Sequence, residues 1–97
     1  MEEAAMKPKM FVTLHSPEEI REFCRFCNQF DDAIDLLSGQ MITDAKSLMG
    51  SLMVDYSKPI EVVYQCYDDV DSFQAFKTAA EAKFTITYKE TARTGGM

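Results

Sequence analysis

Residues Asp44 to Val63, DAKSLMGSLMVDYSKPIEVV, hold a helix signal, a break and the start of a strand. Lys46 to Met53 (KSLMGSLM) reads as a short helix. Ser47 is available as its cap, because a serine hydroxyl accepts from a free N–H of a first helical turn. Pro59 marks the break. Ile60 to Tyr67 (IEVVYQCY) then alternates, with Ile60, Val62, Tyr64 and Cys66 on one face and Glu61, Val63, Gln65 and Tyr67 on the other. That period of two is the pattern of a half-buried strand, with Glu61 and Gln65 on its wet face.

Working outward, Asp32 to Leu37 and Gln40 to Asp44 are short strand candidates around Ser38-Gly39, a hairpin pattern. Ser16 to Phe30 has helical period: Ile20, Phe23, Cys24, Cys27 and Phe30 form one stripe, with Arg21, Glu22, Arg25 and Gln29 away from it. Met10 to Leu14 is a short apolar run that predicts a strand. Downstream, Asp68 to Lys83 is helical, with Val70, Phe73, Phe76, Ala80 and Phe84 along its stripe. Phe84 to Glu90 (FTITYKE) alternates, which leaves open a fifth strand or a frayed helix end. The order β-α-β-β-α-β-α predicts an α+β fold, an antiparallel sheet covered on one face by helices. The expected domain spans 10–90, with a polar lead-in over 1–9 and a loose tail over 91–97.

A chain of 97 residues builds one modest core, and 46% hydrophobic with 27% charged residues is a globular composition. The net charge of −6 repels nucleic-acid phosphates and anionic lipid, which leaves other proteins as the expected partners. The three cysteines make an odd count. With no secretion signal and no apolar run long enough to span a bilayer, they predict a cytoplasmic protein without membrane insertion.

Lys46-Ser47-Leu48-Met49-Gly50, with the order of elements around it, resembles the HPr phosphocarrier family of the bacterial sugar phosphotransferase system, whose version is Lys-Ser-Ile-Met-Gly. The resemblance covers roughly residues 10 to 84 and implies an HPr-like open-faced β-sandwich. Family members carry a phosphoryl group on a histidine in Gly-Leu-His-Ala-Arg-Pro-Ala, at the start of the first helix. Counting back without gaps from Ser47 and Phe30 puts Ser16 on that histidine position and Glu18 on the arginine position. A one-residue slip matches Leu14-His15 to the family's Leu-His and puts Pro17 on the arginine position. In neither register is there an arginine.

A phosphoryl group at a helix start is stabilised by free N–H groups, the helix dipole and a nearby cation. Glu18 and Glu19 put carboxylates there instead. Ser16-Pro17-Glu18-Glu19 also has a purely structural reading: Ser16 as N-cap, Pro17 at the first helical position, and Glu19 completing a capping box. The resulting expectation is a divergent HPr-family protein with an altered phosphohistidine site, acting through protein–protein contacts. The competing expectation is an active phosphocarrier relaying phosphate through His15 to sugar permease components.

The resemblance further implies that Ser47 is a regulatory position offered to a serine kinase, with Lys46, Leu48 and Met49 in a partner-binding patch. Leu48, Met49, Leu52 and Met53 are more apolar than a short surface helix requires, which predicts that some of them are core and one or two form an exposed contact. Cys24 and Cys27 are spaced C-x-x-C but lie mid-helix on the apolar stripe, where packing is expected rather than thiolate chemistry. A zinc site has only Cys66 and His15 left to complete it. Asp31-Asp32 and Asp68-Asp69 read as solvated turn and cap residues. No metal or other cofactor is expected, and nothing points to an autonomous enzyme.

Overall fold

The computed structural model describes residues 8–65 and 70–90. Among them the chain forms β1 (Pro8–Thr13), α1 (Pro17–Cys27), β2 (Ala33–Ser38), β3 (Met41–Asp44), α2 (Leu48–Leu52), β4 (Ile60–Gln65), α3 (Val70–Lys83) and β5 (Thr85–Glu90). The expectations for Cys66, Tyr67, Asp68-Asp69 and the tail over 91–97 lie outside the described residues.

The strands form one antiparallel sheet in the order β3-β2-β4-β1-β5. The fold is α+β, compatible with an open-faced sandwich. The alternation of β4 emerges as read: Ile60 and Val62 are buried, while Glu61 and Val63 are half-exposed on the opposite face. The hairpin turn falls one position later than Ser38-Gly39, on Gly39-Gln40, because Ser38 pairs with Met41. Gly39 sits at φ +64 with open space around it, so the turn uses its backbone freedom rather than its lack of bulk.

Phe84 to Glu90 resolves into a strand. Thr85–Glu90 runs antiparallel to β1 over its whole length, from Pro8↔Glu90 to Thr13↔Thr85. This gives Pro8 and Lys9 a pairing partner, so β1 starts inside the expected lead-in. Pro8 begins the strand, where a missing N–H is tolerated.

The core lies between the sheet and the helices. Met10, Val12, Ile34, Leu36, Ile60 and Val62 from the sheet meet Ile20, Phe23, Cys27, Phe76 and Ala80 from α1 and α3. Phe26, outside the expected stripe, is 4% exposed. It belongs to an aromatic cluster, with its ring 5.2 Å from Phe30 and 5.4 Å from both Phe76 and Phe84. A second helix covers that side of α1, so its buried stripe is wider than a one-sided pattern suggests.

Candidate functional site

The buried Leu14 anchors the chain as it leaves β1, and His15 follows it into solvent with 65% of its side chain exposed. Ser16 is the N-cap of α1, in extended conformation, and its Oγ accepts from the Glu19 N–H at 3.2 Å. Ser16 C=O accepts from the Ile20 N–H at 3.0 Å. The capping box is displaced by one residue. Glu19 Oε1 accepts from the His15 backbone N–H at 2.7 Å instead of reaching the Ser16 N–H. The same oxygen lies 2.9 Å from His15 Nδ1.

This geometry has a chemical consequence. An ionised carboxylate only accepts hydrogen bonds, so the contact assigns the ring proton to Nδ1. The backbone hydrogen bond from His15, with smaller contributions from the imidazole, holds the Glu19 carboxyl below the usual carboxylate range. Glu19 is therefore ionised at neutral pH. The nitrogen facing the helix start has no lone pair to offer phosphorus, and a full negative charge stands where an incoming phosphoryl group needs positive potential. Pro17 supplies no N–H, and the Glu19 and Ile20 amides are already bonded to Ser16.

Ser47 is exposed and caps α2, its Oγ accepting from the Gly50 N–H at 3.3 Å. Here the structure corrects the expectation that some large apolar residues of this helix are core. Leu48 is 38% exposed, Met49 79%, Leu52 39% and Met53 72%. The residue of α2 that is buried is Ser51, whose hydroxyl donates to Ala45 C=O at 3.3 Å. A Cβ on Gly50 would stand 2.1 Å from Thr43 Oγ1. The small side of α2 thus packs on β3 and turns the long side chains outward. Ile42 of β3, 69% exposed, lies on the opposite face of the sheet from α2, because Thr43 is the residue that faces Gly50.

Lys46 is held from within the chain: its Nζ donates to Phe30 C=O. Asn28, the C-cap of α1, donates from Nδ2 to Cys24 C=O at 2.8 Å and to Lys46 C=O at 3.1 Å. Together they pin the β3–α2 loop to the end of α1. Asp32 also does more than stand in a solvated turn. Its Oδ2 accepts from Tyr64 Oη at 2.9 Å and Ser72 Oγ at 2.6 Å, tying the start of β2 to β4 and α3. Ser72 first, then Tyr64, holds its carboxyl below the usual range.

Cys24 and Cys27 are buried free thiols, and burial pushes both above the ordinary thiol range. They pack as expected, and among the described residues no metal-binding group forms. No helix of the described residues is long and apolar enough to cross a membrane. A groove of about 390 Å3 between α1 and the α3–β5 junction is lined by Glu22, Arg25, Phe26, Gln29, Lys83 and Phe84, which include none of the expected site residues.

Sequence reasoning missed three partners. The i,i+4 spacing of His15 and Glu19 carries the signal for the first. Asn28 and Asp32 had no sequence signal, because their partners lie 18 and 32 to 40 positions away. No family model, curated protein or solved structure matches the chain.

Proposed function

We propose that this chain is a divergent HPr-like protein of the sugar phosphotransferase system that works in the cytoplasm by protein–protein contact rather than by phosphoryl transfer. The observation that carries this reading is the engagement of two of the three His15 nitrogens, backbone N and Nδ1, by one Glu19 oxygen. The contact surface is the outward side of α2, where Leu48, Met49, Leu52 and Met53 are exposed. Phosphate on Ser47 regulates it: about two negative charges would arrive beside Leu48 and Met49 and change what docks there. The element order and the sheet support the HPr-like reading without establishing the family.

Binding tests the proposal. Calorimetry measures association with the general phosphotransferase donor enzyme, a sugar permease component and the serine kinase. The expected result is binding to one of them that weakens at least tenfold in Met49→Asp/Met53→Asp, with unchanged circular dichroism, and persists in His15→Ala. Binding lost in His15→Ala and kept in the double variant, or no binding to any of the three, contradicts it.

A further inference from the structure

The face of the sheet turned away from the helices has an ordered charge pattern. The register places two rows on it. In one, Ile42 pairs with Leu37, Leu37 with Glu61, Glu61 with Phe11, and Phe11 with Thr87. In the other, Asp44 pairs with Asp35 and Asp35 with Val63, while on the far side Lys9 pairs with Lys89. Met10↔Val62 brings Lys9 level with Val63. Across the sheet this second row reads acid, acid, Val63, lysine, lysine. Ile42 is 69% exposed, and Phe11, Leu37 and Val63 are half-buried among the polar groups.

We propose that this face binds a second copy of the same chain, sheet against sheet, about a two-fold axis parallel to the strands and passing over β4. Such an axis reverses the order of the strands. It lays β2 over the partner's β1 and β3 over the partner's β5. Asp35 then faces the second copy's Lys9, and Asp44 its Lys89, twice over by symmetry. An axis across the strands would set β2 on β2 and acid on acid, so the charge order selects between the two arrangements.

The row beside the charged one brings Leu37 over the second copy's Phe11. Packed sheets lie about 10 Å apart and within about 30° of alignment, which keeps the outer acid–lysine pair within the reach of a lysine side chain. Glu61 lies next to the axis and faces its own copy. Its charge is offset within each chain by Lys9, with Nζ at 4.0 Å from Oε1. Asp35 also accepts from Gln65 Nε2 at 3.0 Å and Asp44 from the Lys46 N–H at 2.9 Å, contacts that hold the carboxylates in place.

Strand spacing and rise give this face roughly 500 Å2, below the ~800 Å2 per partner of a standard interface. The dimer is therefore weak and forms at high concentration. Its apolar contacts supply the affinity and its charges the orientation.

Sedimentation equilibrium on the full chain, from micromolar to millimolar, tests the proposal. The expected result is reversible dimerisation that Lys9→Glu and Asp35→Lys each abolish, and that returns when the two variants are mixed, because the mixed pair restores opposite charges at both contacts. Val63→Arg, at the axis, also gives a monomer and is not rescued by mixing. A monomer mass for the wild type up to millimolar concentration overturns the proposal. So does a wild-type dimer that survives both charge reversals, or variants that stay monomeric on mixing while each keeps the wild-type circular dichroism. Should a reversal fail to fold, the wild-type mass and Val63→Arg decide between dimer and no dimer at this face.

Discussion

The backbone N–H and the ring Nδ1 of His15 converge on a single oxygen, Glu19 Oε1, at 2.7 and 2.9 Å. A side chain one residue ahead of the N-cap is thereby tied to the third residue inside the helix. This tie turns a position suited to anion chemistry into part of a cap.

The tie has a pH signature. The Glu19 carboxyl sits below its usual value in the folded chain because it accepts the His15 amide. A depressed folded pKa means that the stabilisation is present above the unfolded value near 4.5 and is lost as pH falls through the folded pKa. Urea midpoints measured from pH 6 down to pH 3 should fall for the wild type. Glu19→Gln should start lower at pH 6 and lose less on acidification.

Gly50 marks the closest approach of α2 to the sheet. Gly50→Ala drives a methyl to 2.1 Å from Thr43 Oγ1 and should destabilise by about 1 to 3 kcal/mol, as overpacking does. Adding Thr43→Ala removes the clashing oxygen and should recover most of that loss, helped by the better helix propensity of alanine. Thermal melts of the four chains check this. A double variant no more stable than Gly50→Ala contradicts the account.

Asp32, Tyr64 and Ser72 act as one clasp across three elements. Tyr64→Phe and Asp32→Ala should therefore be strongly non-additive in a double-mutant cycle, since each removes the same hydrogen bond. Additive effects would show that the contact at 2.9 Å carries no coupling.

What the sequence made legible follows the range of the interactions. The stripe of α1, the alternation of β4 and the cap at Ser16 were readable because each rests on neighbours within four positions. The exposure of Leu48, Leu52, Met49 and Met53 was only half readable: apolar content does not say which way a short helix turns, and here Gly50 and Ser51 decide it by fitting against Thr43 and Ala45. β5 showed its alternation, but its strand identity depends on β1, more than seventy positions earlier in the chain. The His15–Glu19 contact lay in plain spacing, masked by the expectation that the glutamate reaches Ser16.

The most direct measurement is incubation of the full chain with the general phosphotransferase donor enzyme and phosphoenolpyruvate, followed by assay for an acid-labile phosphoryl adduct. The account predicts no adduct on the wild type, with a conventional phosphocarrier labelled in a parallel reaction. An adduct that forms on the wild type and disappears in His15→Ala would contradict it.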